Sequence, residues 1–409
     1  AGRLAYQQWG EGPDIVGVPP LAQNIELAWG WPDIVAMFER FGRIGRYLHY
    51  DKRGTGASDR IRRPPGLDER VDDMRAVMDA AGIGRAHLLG NSDGGATALL
   101  FAATYPDRVH SCVLYGSGAT TVPPDQPPDV VAGWIERQRQ VSPRWGTPTS
   151  PWVDAFAPSC AGDQRFRDWH QRYERSCCDS ATLLDLLVMA IDTDVRGALP
   201  DVGCPVLLLH RSGDPVVDVA RSHEAAALLP DARVVEVPGS DHWGYVGDTD
   251  VWMDELERWV RGSVDTARTP VVRPSRVRVV TMGRFAVEVD GREVPTGDWG
   301  SRHARTIVKR LAVARGWPVT RDELFELLWP GETDRATVGA RLSVQLSTVR
   351  RVLHGGVVAD RESVRLDLDE IDLDLAVFDA ATDDAAVVAA WTGDFLPADT
   401  DLQWTAATR

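Results

Sequence analysis

Over residues 1–266, short apolar runs alternate with stretches in which apolar residues recur every three or four positions. The runs DIVGVPP, RYLHYD, AHLLGN, SCVLYGS, PVLLLHRSGD and ARVVEVPGSDH read as buried parallel strands, and the stretches between them as amphipathic helices. That alternation predicts a doubly wound α/β domain. Between SCVLYGS and PVLLLHR it stops. The Pro-rich TTVPPDQPPDV leads there into helical stretches such as DQRFRDWHQRYERSC and SATLLDLLVMAI, so a helical cap over the strand ends is expected at about residues 120–200. After the linker at 267–275 the periods change again. Two alternating strands in RVRVVTMGRFAVEVDGREVP, with a turn at Asp290 and Gly291, precede three helical segments and a strand pair around VVADRESVRLDL. A second, α+β domain is expected at 276–368, followed by an acidic helical tail at 369–409 that reads as the start of a further domain cut short.

Length and composition allow this. The 409 residues, 44% of them apolar and 26% charged, suffice for two globular cores. No stretch approaches the roughly 18–20 consecutive apolar residues of a membrane span, and AGRLAYQQWG lacks a signal-peptide pattern. A cytoplasmic protein with no membrane partner is expected. The chain opens without Met at what reads as a strand edge, so upstream residues are expected too. Five cysteines, with no CxxC or Cys/His cluster, read as reduced packing residues and give no metal-ligand spacing.

Charge alters the picture. The net −15 divides into −11 over residues 1–269, +6 over 270–366 and −10 over 367–409. A basic island in an acidic chain suggests a local polyanionic partner.

The candidate chemistry starts at GNSDG (Gly90–Gly94), a G-x-S-x-G turn between an apolar run and the helical GATALLFAATYP. A serine on a sharp strand-to-helix turn is exposed for nucleophilic attack, which makes Ser92 the candidate nucleophile. It needs a base and an orienter, in the order Ser, Asp, His. Asp214 ends one strand and His242 follows the next; Asp218 and Asp241 remain alternatives for the carboxylate. His49, His110 and His210 lie in or beside strands and read as structural. The oxyanion requires two N–H donors. Asp93 supplies one. Pro19 and Pro20 have no N–H, so Leu21 is assigned the other. A carboxylate at Asp93 opposes a developing oxyanion unless its side chain points away. Trp29, Trp134, Trp145, Trp152, Trp169 and Trp243 are candidates for a pocket holding an apolar, carbonyl-bearing small molecule. No metal or organic cofactor is implied.

Residues 3–262 resemble the α/β-hydrolase superfamily, and YDKRGTGASD, GNSDGG, FAATYPDRV and HRSGDPVV resemble the branch fused to signalling modules. In DKRGTG, Arg53 and the glycines read as shaping a turn. Residues 276–368 resemble the winged helix-turn-helix of the OmpR/PhoB type, in the variant found in Streptomyces antibiotic regulatory proteins. The resemblance is carried by VRVVTMGRFAVEVDGREVP, SRHARTIVKRLAVARGWPVTRDELFELLWPGETD and RLSVQLSTVRRVL, and it implies binding to double-stranded DNA as a homodimer. At about 100° per residue, Val338, Leu342, Leu346, Val349 and Leu353 share one helix face. Ala340, Ser343, Val344, Ser347, Thr348 and Arg351 lie on or near the other, suited to a major groove, and Arg341 is a further candidate DNA contact. Arg302, Arg305 and Lys309 form a basic stripe on an earlier helix, and Arg361 and Arg365 sit at the wing. Two readings follow. One is a DNA-binding regulator whose hydrolase-fold domain senses a ligand and retains serine-hydrolase chemistry; the other is an active esterase or lactonase with an auxiliary DNA-binding domain.

Overall fold

The computed structural model describes residues 2–61, 64–123, 126–264, 276–381, 386, 388, 390–399 and 404. The chain divides into two compact units, residues 1–270 and 271–409. The linker expected at 267–275 lies outside the described residues.

In the first unit one sheet contains β1 (Tyr6–Trp9), β2 (Asp14–Val18), β3 (Arg46–Tyr50), β4 (Ala86–Asn91), β5 (Val109–Tyr115), β6 (Val206–Arg211) and β7 (Ala232–Val237), in the order β1-β3-β2-β4-β5-β6-β7. Only β1 runs antiparallel to its neighbour. All of β6 is buried, as is β4 up to Asn91, which explains the apolar runs Val206–Leu209 and Leu88–Leu89 within them. The chain places β3 on one side of β2 and β4 on the other, and such a reversal opens a crevice beyond the strand ends.

Helices cover the sheet. The first three are α1 (Pro32–Ile44), α2 (Leu67–Ala80) and α3 (Gly94–Thr104). Proline opens α1, where its missing N–H costs nothing, and Ile34, Phe38 and Phe41 form its buried stripe. Every residue of α3 is buried, so GGATALLFAAT carries no charge. Between β5 and β6 lie α4 (Pro128–Val141), α5 (Trp152–Phe156), α6 (Gln164–Cys177) and α7 (Ser180–Ile191). The last two start on aspartates. Asp163 accepts from the Phe166 N–H at 3.1 Å and Asp179 from the Thr182 N–H at 2.8 Å. The unit ends with α8 (Ala220–Leu228) and α9 (Asp250–Val264). Among the described residues no helix is long and apolar enough to cross a membrane.

The second unit holds β8 (Val277–Val280), β9 (Ala286–Val289), β10 (Arg292–Glu293), α10 (Arg302–Val313), β11 (Val319–Thr320), α11 (Arg321–Leu328), α12 (Arg335–Val352), β12 (Val357–Ala359), β13 (Ser363–Leu366), β14 (Ile371–Leu373) and α13 (Asp374–Asp379). Two sheets result, ordered β10-β9-β8-β14 and β11-β13-β12. The acidic stretch after residue 368 is not a separate tail, which corrects the expected boundary. Its β14 pairs in parallel with β8, and Phe395 and Leu396 are buried in the same core as Val277 and Leu346. One of its acids serves that docking. Asp374 accepts from the Thr281 N–H and hydroxyl at 2.7 Å and from the Met282 N–H at 2.9 Å.

Candidate active site

Ser92 lies on the turn between β4 and α3 with φ at +51°. A side chain in that left-handed region costs energy, and it persists only where the surroundings enforce it. Here they do. The Ser92 N–H donates to the Tyr115 carbonyl at 3.0 Å, and the Ser92 carbonyl accepts from the Gly95 N–H at 3.0 Å and from Ser117 Oγ at 2.6 Å. A Cβ at Gly95 would lie 2.0 Å from that Ser117 Oγ, so glycine is required for the clamp to close.

The Ser92 hydroxyl lies 2.8 Å from His242 Nε2, and His242 Nδ1 lies 2.7 Å from Asp214 Oδ2. An imidazole protonated on Nδ1 donates to the carboxylate and leaves Nε2 to accept from the serine. The other Asp214 oxygen accepts from the Val216 and Val217 N–H groups at 2.8 and 3.0 Å. Burial alone would raise the Asp214 pKa; the hydrogen bond and charge of His242, with those two backbone donors, hold it below the ordinary carboxylate value. The alternatives are engaged elsewhere. Asp218 accepts from the Ala220 N–H at 2.8 Å, and Asp241 accepts from the Ser159 N–H and hydroxyl at 3.0 and 2.8 Å.

A cavity opens at Ser92, and Leu21, Asp93, Gly116, Phe156 and Leu187 are among its lining residues. The two expected oxyanion donors therefore share a cavity with the serine hydroxyl. The Asp93 carboxylate accepts from Lys52 Nζ at 2.8 Å and from Arg70 Nη1 at 2.9 Å, and all three side chains are at most 5% exposed. Burial raises the Asp93 pKa, but the charges and hydrogen bonds of Arg70 and Lys52 outweigh it and hold the carboxyl at about 2. Burial also pulls Lys52 down to about 8, against the attraction of Asp93. Sequence reasoning missed both cations. Lys52 belongs to the DKRGTG turn, which was read as structural through Arg53, and Arg53 is indeed committed to Asp73 at 2.7 Å.

The tryptophan pocket needs correcting: none of the six candidates lines the cavity at Ser92. Trp145 and Trp152 pack behind it in a cluster with Leu183 and Leu186. Trp169 stacks on Tyr173, with ring centroids 5.0 Å apart, and Trp243 on His170 at 4.3 Å. Trp29 sits 37% exposed against Trp9 and Phe38, and Trp134 is half-buried on α4. Wide rings serve as scaffold here, while the smaller Leu, Val, Ala and Thr leave the space that makes the cavity. Among the structural histidines, His210 bonds Ser222 and the Val217 carbonyl, and His49 faces Gln7.

In the second unit the expected DNA-facing residues divide. Arg302 and Arg341 are exposed, Arg341 lying 3.9 Å from Glu332. The Arg305 guanidinium sits over the Phe285 ring at 5.5 Å. Lys309 pairs with Asp399 at 2.6 Å. Arg361 and Arg365 are half-buried on the β12–β13 hairpin, with Arg365 donating to the Leu366 carbonyl at 3.4 Å. On α12, Val344 and Arg351 are half-buried, and Ser343, Ser347 and Thr348 are only 4%, 3% and 7% exposed. This corrects the open groove-facing surface expected of them. The Ser343 hydroxyl donates to the Gly339 carbonyl of its own helix at 3.1 Å.

Residues 16–255 match the family described as Alpha/beta hydrolase family. The chain belongs to that family. Over 250 residues this α/β hydrolase is 26% identical to the putative carbamate hydrolase RutD of Caulobacter segnis, covering 57% of this chain and 86% of the relative. It is 28% identical over 228 residues to the human serine hydrolase BPHL, covering 53% and 68%. Among solved structures, a thermophilic esterase from Thermogutta terrifontis is similar with a TM-score of 0.54 at 20% identity, over 64% of this chain and 94% of that one. The enol-lactonase from Burkholderia xenovorans LB400 gives 0.51 at 21%, over 64% and 97%. The relatives are hydrolases, and the structural likenesses establish the fold.

Proposed function

We propose that the chain is a serine hydrolase acting on a carboxylic ester, lactone or related apolar carbonyl compound. One observation carries this reading: the relay from Ser92 Oγ to His242 Nε2 at 2.8 Å and from His242 Nδ1 to Asp214 at 2.7 Å. Ser92 attacks the carbonyl carbon while His242 takes its proton, and Asp214 fixes the imidazole tautomer and stabilises the imidazolium. The N–H groups of Leu21 and Asp93 hold the oxyanion. His242 then protonates the leaving group, and a water activated by the same imidazole releases the acyl group from Ser92. The hydrolase relatives support this reading. Hydrolysis of a panel of fluorogenic short-chain esters, lost in Ser92→Ala, tests it; turnover that survives Ser92→Ala overturns it.

A second reading concerns residues 276–399. Two helices, α11 and α12, followed by the β12–β13 hairpin with Arg361 and Arg365, keep the order of a winged helix-turn-helix. On that basis the second unit binds double-stranded DNA as a homodimer, and the hydrolase domain regulates it in response to its substrate. A DNA-shift assay on the upstream region of the chain's own gene, with and without the ester, tests this.

A further inference from the structure

A second cavity, larger than the space at Ser92, lies against one face of the sheet of the hydrolase domain. Gly17 of β2, Tyr47 and His49 of β3, Leu89 and Asn91 of β4, and Tyr115 of β5 line it. Their two-residue spacing puts them on one face of the sheet. The facing wall comes from α1 and from Trp252 of α9. The two cavities have no lining residue in common, although their walls alternate along the chain. Pro20 and Leu21, Asn91 and Ser92, and Tyr115 and Gly116 each give one residue to the chamber and the next to the nucleophile.

Gly17 makes room in this wall for Tyr47: a Cβ there would lie 2.2 Å from the Tyr47 hydroxyl. The lining defines what would fit. It includes no Asp, Glu, Lys or Arg, and seven of its side chains are aromatic. Burial pulls the His49 pKa down to about 3, so the ring is neutral. A charged ligand would lose its hydration with no partner in return. One polar group is unpaid: Tyr115 is 2% exposed, and its hydroxyl is buried without a hydrogen-bond partner. Buried hydroxyls normally find one.

We infer that this chamber is a binding site, distinct from the Ser92 cavity, for a neutral aromatic molecule carrying a hydrogen-bond acceptor, which takes the Tyr115 hydroxyl. The site does not depend on serine chemistry.

Titration of the full chain with acetophenone and ethylbenzene, which match in size and differ in the carbonyl, tests it. Both bind, acetophenone about tenfold more tightly, as one extra hydrogen bond provides. Tyr115→Phe, an isosteric change, removes that preference and leaves ethylbenzene binding intact. Met37→Trp, which fills the chamber, abolishes binding, and Leu187→Phe, which fills the Ser92 cavity, does not. If Met37→Trp fails to fold by near-ultraviolet circular dichroism, the Tyr115→Phe comparison decides alone. No binding of either probe, equal affinity for the two in the native chain, or loss of binding in Leu187→Phe overturns the inference.

Discussion

The Lys52 ammonium lies 2.8 Å from the carboxylate of Asp93, the residue that follows the candidate nucleophile. With Arg70 on the same oxygen, the buried cluster holds two positive charges and one negative. Its surplus charge favours an oxyanion forming at the Asp93 N–H, where the carboxylate alone would oppose it. Lys52→Met leaves a neutral Asp93–Arg70 pair, so kcat for ester hydrolysis should fall about tenfold or more with little change in KM.

The same lysine sets a pH dependence. With its folded pKa lowered to about 8 from 10.5, Lys52 is charged below pH 8 and loses its proton above it. The rate should therefore decline on the alkaline side of about pH 8. Lys52→Arg keeps the charge at every accessible pH and should remove that decline. A pH–rate profile of the arginine variant that still falls near pH 8 would exclude Lys52 as its source.

Stability should respond at the acid end. Asp93 titrates at about 2 in the fold against 3.8 unfolded, so the folded state prefers the ionised form. The stabilisation is complete above the unfolded value and is lost as pH falls from about 4 towards 2, amounting to roughly 2 kcal/mol. Urea unfolding at pH 6 and pH 2.5 measures it. In Asp93→Asn the acid-dependent loss should shrink by about that amount, while the variant is less stable at pH 6 because Lys52 and Arg70 stay buried without their counter-ion.

Asp214 and Asp241 lie on either side of one question. Asp214→Asn keeps an oxygen for the Val216 and Val217 donors but favours the wrong imidazole tautomer, so kcat should drop by about 10⁴ with the fold intact. Asp241 bonds Ser159 instead, and Asp241→Asn should retain turnover within about tenfold. Equal losses in the two variants would contradict the relay geometry.

What could be read in advance follows from physical locality. Buried strands such as Val206–Arg211 announce themselves through apolar runs such as Val206–Leu209, and the Ser92 turn carries its own glycines. The strand Tyr6–Trp9 does not, because at a sheet edge YQQW sets two adjacent glutamines between two aromatic residues and forms no apolar run. The choice among Asp214, Asp218 and Asp241 needed the path of the His242 loop, which no local pattern encodes. Lys52, Arg70 and Asp93 come from three separate segments, so their cluster exists only in the fold. The tryptophans show the converse: enrichment in wide rings marks an apolar interior without separating wall from scaffold. In the second unit, the three-residue strand Ile371–Leu373 is hidden by the acidic residues around it.

That difference between wall and scaffold can be measured. Phe156 lines the cavity at Ser92, whereas Trp152 packs behind it with ring centroids 5.3 Å away. Trp152→Ala should cost about 3–5 kcal/mol of stability by leaving a void. Phe156→Leu should cost less than about 2 kcal/mol but raise KM for esters with bulky acyl groups several-fold. Thermal unfolding and steady-state kinetics of both variants give the two answers independently.

The last test separates the cations of the second unit. Arg302 and Arg341 are exposed, but Lys309 is held by Asp399 at 2.6 Å with only 15% of its side chain accessible. A phosphate contact from Lys309 must first break that pair. If the unit binds DNA, Arg302→Ala and Arg341→Ala should each weaken binding and lower the slope of log K against log salt by about one. Lys309→Ala should leave both nearly unchanged, and Asp399→Ala, which frees the ammonium, should tighten binding at low salt. Tight, salt-dependent binding lost on Lys309→Ala alone would show that the Asp399 contact opens on DNA.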